Sequence, residues 1–349
     1  MKNPDNMLRQ WRAIDIKVLR FAVGMTLISV LAYTVAWPMS FMTVLISGKL
    51  LMANKSILSF KEGFGLLLIV IVALYSGFLV SVAFITYPLL FVLMITLALL
   101  RIFYLARKGK PDILIIMLLV GVTVIPMLAM QSQFLAYEAV KMLVFSIALA
   151  VLFSIACFAL IPGGGIDDAE EKPASDEDAL RGAIKSTLVV MPLYLYIFFT
   201  NTPGALLILI FVAILAQDTS LDKGLKSGAG LFLGNLIGGL IGIVIYNLLV
   251  MVPSLVFFIL LMALTWLLIG QQVFKPGMLG ILFGIGFATI NVVLSSALGF
   301  FSEDASTAVY QRLLQLTLVT VYIIMSFSVV DYISDLLLGK EKQNVQPVR

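Results

Sequence analysis

The sequence predicts an all-α polytopic membrane protein of about twelve transmembrane helices, arranged as two parallel six-helix repeats with the N- and C-termini cytoplasmic. Three observations carry this expectation. Apolar residues make up 61% of the chain against 12% charged, and the mean hydropathy of +1.10 lies far above that of water-soluble domains. The chain is also written twice at a fixed shift of 165 positions: Pro38 returns as Pro203, Gly63 and Gly65 as Gly228 and Gly230, Lys110-Pro111 as Lys275-Pro276, and Gly121 as Gly286. Each coincidence is placed alike relative to a hydrophobic run, which marks a duplicated unit. Third, the basic residues gather on one side once those runs are threaded through a bilayer.

A hydrocarbon core takes about 20 apolar residues per helix. On that rule the spans lie near 17–36, 40–54, 64–86, 88–106, 112–130, 136–161, 183–201, 204–218, 228–250, 254–273, 277–298 and 308–336. The first follows Arg9, Arg12, Lys17 and Arg20 with no small-residue cleavage site, so it reads as a retained helix rather than a signal peptide. The second and eighth are short and closely preceded by Pro38 and Pro203, which makes them tilted, broken or partly spanning. The third and ninth open on the related strings GFGLLL and GAGLFL, and the ninth carries Gly230, Gly234, Gly238 and Gly242 at intervals of four. Small residues at this spacing let two backbones approach, a packing device; exposure of backbone to a substrate path is the alternative. In the fifth and eleventh spans Pro126 aligns with Asn291, and Pro192 lies in the seventh. Proline removes a helix hydrogen bond and asparagine bonds freed backbone groups, so these positions mark helix discontinuity, either a kink or backbone beside a cavity.

Residues 1–162 form the first repeat, 163–182 an acidic cytoplasmic linker and 183–349 the second repeat. The linker sequence PGGGIDDAEEKPASDEDALR, with three glycines and seven acidic residues, has the composition of a solvated tether or a regulatory contact. A cytoplasmic N-terminus places loops 55–61, 107–110, 172–185, 223–226 and 275, with Lys340, Lys342 and Arg349, on one side. Of 23 Lys and Arg, only Lys49, within a helix, and Lys141 and Arg312, toward the outer face, depart from it. That bias supports an even number of spans, with the two halves related by an axis along the membrane normal.

The chain has no histidine and one cysteine, Cys157, which excludes internal disulfides, Cys/His zinc sites and histidine-based proton transfer. No phosphate-binding loop is present, no cofactor is expected, and the dispersed basic residues do not make a nucleic-acid patch. Ionisable groups inside helices are expensive, so the few present are the functional candidates. Lys49 either snorkels to the cytoplasmic surface or faces an anion in the path. Lys141 and Arg312 occupy related places in the last helix of each half, at a shift of 171, where two cations flanking a pseudo-twofold axis suit a carboxylate. The alternative pairs Lys141 with Glu138 and Arg312 with Glu303 or Asp304. Gln217 and Asp218 stand where the first half has Met52 and Ala53, an asymmetry suited to proton coupling or to pairing with Lys223. Asn235 reads as interhelical glue or as a path-lining group beside Asn291.

The segment LRFAVGMTLISVLAYTVAWPMSFMTVLISGKLL, from Leu19 to Leu51, resembles the opening of fusaric acid resistance and aromatic acid exporter proteins. Leu180-Arg181, Pro203 and KGLKSGAGLFLGNLIGG from Lys223 to Gly239 are similar to that family's second half. The resemblance implies a multi-pass protein of the bacterial inner membrane that exports aromatic carboxylic acids with a periplasmic membrane-fusion (adaptor) partner. The superfamily is similar to plant malate channels, in which a six-helix unit dimerises and cations line an anion path; this implies roles for Lys49, Lys141 and Arg312. The large cytosolic domain of many members is replaced by the acidic linker and a short tail, as in a shorter branch.

The expected function is therefore export of aromatic or other hydrophobic organic anions, driven by the proton gradient. A passive organic-anion channel and a membrane scaffold or assembly component are the alternatives, and a homo-oligomer is left open. An enzyme is not expected, because the carboxylates are scattered.

Overall fold

The structure is a computed structural model that describes residues 4–53, 59–163, 175–200, 206–216, 225–298 and 305–337. These residues form twelve helices: α1 (Pro4–Val35), α2 (Ser40–Met52), α3 (Phe60–Phe84), α4 (Pro88–Arg107), α5 (Asp112–Gln131), α6 (Gln133–Leu160), α7 (Asp176–Thr200), α8 (Leu206–Ala216), α9 (Leu225–Met251), α10 (Leu255–Val273), α11 (Met278–Leu298) and α12 (Ala305–Leu337). Among the described residues nine helices are long and apolar enough to cross a membrane, and there are no strands. The chain is an all-α protein with multiple membrane-crossing helices.

Of the other three, α12 shows a shorter apolar stretch, Thr317–Val330, while α2 and α8 have only 13 and 11 residues in all. At 1.5 Å per residue they rise roughly 16–20 Å, short of a hydrocarbon core about 30 Å thick. Residues Met42 to Gly48 are all buried in α2, and Leu209, Ile210, Val212, Ala213 and Ala216 are buried in α8. A helix apolar on every side is stable only when neighbours cover it.

Within the stretch read as the acidic linker, Asp176, Glu177 and Asp178 form the first turn of α7. Ser175 caps that turn, its Oγ accepting from Asp178 N (3.2 Å) and donating to Asp178 Oδ2 (2.6 Å). Negative charge is favoured there because it meets the unpaired N–H groups and the positive end of the helix dipole. Pro126 and Pro192 lie inside α5 and α7, which continue through both. Each proline deletes one backbone bond, and packing on either side holds the remaining turns.

Helix packing repeats along the chain. Every substantial helix contact recurs when both labels advance by six: α1 with α2 as α7 with α8, α3 with α5 as α9 with α11, α2 with α6 as α8 with α12, and likewise for the rest. Four contacts cross between the halves and form two corresponding pairs, α1 with α10 matching α7 with α4, and α2 with α11 matching α8 with α5. The two cores therefore do not coincide with the two halves of the sequence. One core joins α1, α2, α3, α5 and α6 to α10 and α11 of the other half. The second joins α7, α8 and α12 to α4 and part of α5.

Glycine sets the closest crossings. A Cβ on Gly77 of α3 would strike the carbonyl of Gly121 of α5, and one on Gly238 of α9 would lie 2.7 Å from the Cα of Gly286 of α11. Gly234 and Gly242 turn the same face onto Ile285 and Val293 of α11, so the glycine ladder of α9 packs against that helix.

Candidate functional site

The site is built around α2, the short buried helix that starts beside the middle of α6. Leu51 and Cys157 both pack on Gly24, where a Cβ would lie 2.7 Å from Leu51 Cδ1 and 3.1 Å from Cys157 Sγ. The end of α2 thus lies level with the last turn of α6. Gly48 presses on the ring of Phe287 from α11, a contact between the halves. The next residue, Lys49, is half-buried, with no hydrogen-bond or ion-pair partner among the described residues. A flexible stem of this kind lets an ammonium reach several ångströms from the backbone that carries it.

The other candidates do not converge on Lys49. Lys141 lies in the first third of α6, where it bridges Glu138 at 2.7 Å and lies 5.5 Å from the centre of the Tyr137 ring. Arg312 is on α12, with its side chain outside the described residues; Gln217 and Asp218 also lie outside them. Asn235 is buried between three helices: its Nδ2 donates to Thr320 Oγ1 of α12 (3.0 Å), and its Oδ1 accepts from Thr289 Oγ1 of α11 (2.6 Å). At the shift of 165 the first half has Val70 and Val124 for Asn235 and Thr289, both buried, so this polar tie belongs to one half. Asn291 is fully buried on α11; its Nδ2 donates to Phe287 O (2.8 Å) and Tyr33 Oη of α1 donates to its backbone carbonyl (3.4 Å). Its Oδ1 has no hydrogen-bond partner among the described residues.

Three cations read in the sequence as topology signals are buried instead: Lys17, Arg20 and Arg107. The Arg20 guanidinium stacks 3.8 Å from the centre of the Phe158 ring and donates to Gly163 O at 2.8 Å. It thereby satisfies a carbonyl just past the end of α6, where a cation also complements the helix dipole. Lys17 lies 6.0 Å from the centre of the Phe274 ring of α10. Arg107 packs its guanidinium on Gly182 and donates to Ser186 Oγ of α7 at 3.4 Å. Their burial has a sequence signal, the helical stripe. Phe91, Ile95, Leu99, Phe103 and Arg107 recur every four residues on one buried face of α4.

A family described as a protein of unknown function (DUF2955) matches residues 17–157, from the first turns of the apolar part of α1 to near the end of α6. Neither a curated protein nor a solved structure matches.

Proposed function

We propose that this protein exports aromatic or other hydrophobic organic anions across a bacterial inner membrane, coupled to the proton gradient. In this reading it has twelve spans in two parallel six-helix repeats and cytoplasmic termini. The observation that carries it is Lys49, a half-buried lysine on a short helix that contacts the opposite half through Gly48 and Phe287. An ammonium in that setting compensates the charge of an anion that leaves water, which apolar helices alone cannot do. The matched helix pairings of the two halves support a path at their junction, the usual place for a site in a duplicated transporter. A periplasmic adaptor is the proposed partner.

Inverted membrane vesicles energised by a proton gradient are expected to accumulate aromatic carboxylates. Replacing Lys49 with Gln is expected to lower that flux about tenfold, the factor set by loss of roughly 1.4 kcal/mol of charge compensation. Flux that persists at zero proton gradient and carries current would assign the passive channel instead. Absence of flux for every acid in the panel sinks both.

A further inference from the structure

Ser146, buried in the middle of α6, holds the connection between α1 and α2 at three points. Trp37 Nε1 donates to its Oγ (3.2 Å), its Oγ donates to Met39 O (3.2 Å), and Thr43 Oγ1 donates to its carbonyl (3.1 Å). The connection requires such a tie. Ala36 and Met39 are both left-handed, at φ 51° and 64°, without being glycine. Met39 is also the residue that opens α2, and it offers no side-chain cap. Backbone of this kind persists only where surrounding contacts over-determine it. With 13 residues, α2 takes its depth and rotation from that anchoring.

We propose that Ser146 is a positioning residue for α2, and through α2 for Lys49. Thr43 and Lys49 lie on one short rigid helix, so fixing Thr43 and Met39 to α6 fixes where the lysine stem begins. The proposal rests on the reading of Lys49 as lining the path, but its test does not need transport.

In full-length protein carrying Cys157→Ala and Lys49→Cys, reconstituted in vesicles, the measurement is the rate of thiol modification by a membrane-impermeant methanethiosulfonate reagent. Adding Ser146→Ala removes both bonds of the hydroxyl and is expected to change that rate about thirtyfold, the factor that two hydrogen bonds of roughly 1 kcal/mol net each contribute to an equilibrium. Ser146→Thr, which keeps the hydroxyl, is expected to restore the parent rate. Trp37→Phe keeps an aromatic ring against Phe145 and removes one donor, so its effect should be intermediate. A Ser146→Ala protein that is folded, even with a lowered Tm, and labels at the parent rate overturns the proposal. Where Ser146→Ala does not fold, an unchanged rate in Trp37→Phe overturns it. A labelling change together with flux indifferent to Lys49→Gln supports the positioning role and refutes the path reading alone.

Discussion

The two joints between the halves hold matching places among the helix pairings, and both bury apolar side chains, Phe91 of α4 stacking on Phe198 of α7 at 5.6 Å. At the positions related by the shift of 165, however, one joint is aromatic and the other polar. Where α1 meets α10, Phe21, Trp266, Phe274 and Phe287 form a cluster with ring centroids 5.5–6.3 Å apart, and Trp266 Nε1 donates to Ser29 Oγ at 3.1 Å. Where α4 meets α7, Arg107 faces Ser186, and Asp176 accepts from Lys108 (2.6 Å) and from Tyr104 (2.7 Å). At the shift of 165, Phe21 corresponds to Ser186, Trp266 to Arg101, Phe274 to Gly109 and Lys17 to Gly182. The helix pairing is the same at both joints, while the side chains at corresponding positions differ. The aromatic joint is held by burial and ring packing, which salt does not screen. The polar joint ends in exposed charges, which salt does screen.

The largest expected effect is at the aromatic joint. Trp266 is fully buried, so Trp266→Ala should cost about 3–5 kcal/mol from lost contacts and the cavity left behind. A thermal or denaturant transition in detergent checks this, and a loss below that of an exposed control would show that the cluster does not bind the halves. A smaller contrast comes from the two glycines that face these joints. A Cβ on Gly270 would meet the Phe21 ring at 3.0 Å, among other rings with little room to move. One on Gly182 would meet the end of the Arg107 side chain at 2.8 Å, and that end can swing aside. Gly270→Ala is expected to cost about 1 kcal/mol from overpacking. Gly182→Ala should be near neutral, because alanine favours the helix by about 1 kcal/mol. Equal losses at the two positions would erase the distinction between the joints.

The smallest expected effect is that of Asp176→Asn. Asp176 is exposed, so removing its charge should lower Tm slightly and only at low salt, seen as a loss of the wild-type salt dependence. The hydrogen bond to Asp176 holds the Lys108 ammonium above the ordinary lysine range. A raised lysine value means that this contribution is fully present below the unfolded pKa and is lost as pH rises through the raised one. Alkaline titration of wild type and Asp176→Asn should therefore converge. A wild type that weakens near neutrality would show that another group governs the joint.

Much of the fold was legible in the sequence, since hydropathy placed the helices and flagged the second and eighth as unlike the rest. Glycines of α9 revealed a packing face because close approach needs small residues at a helical repeat. The start of α7 was not legible because acidic residues suit both a solvated linker and the first turn of a helix; the Ser175 cap decides between them. Lys49 was legible as a candidate because a lysine inside an apolar run is conspicuous. Ser146 was not, since serine in an apolar helix is unremarkable until Trp37, Met39 and Thr43 are brought to it. Arg107 continues a buried stripe of α4 that the sequence carries, whereas Arg20 looks like an ordinary flanking cation until Phe158 and Gly163 are brought to it.

By itself the sequence determined the all-helical membrane class, the order of the apolar helices and the shortness of α2, because these are properties of neighbouring residues in a hydrophobic solvent. Only the tertiary structure decided that α4 and α10 each complete the core built mainly by the other half. It also decided which cations are buried and that Ser29 meets Trp266 across 237 positions. The physical reason is that lipid-facing and core-facing helix surfaces are alike in apolarity. Hydropathy therefore cannot tell them apart, and the partner of each face is chosen by shape, small residues and hydrogen bonds between distant segments.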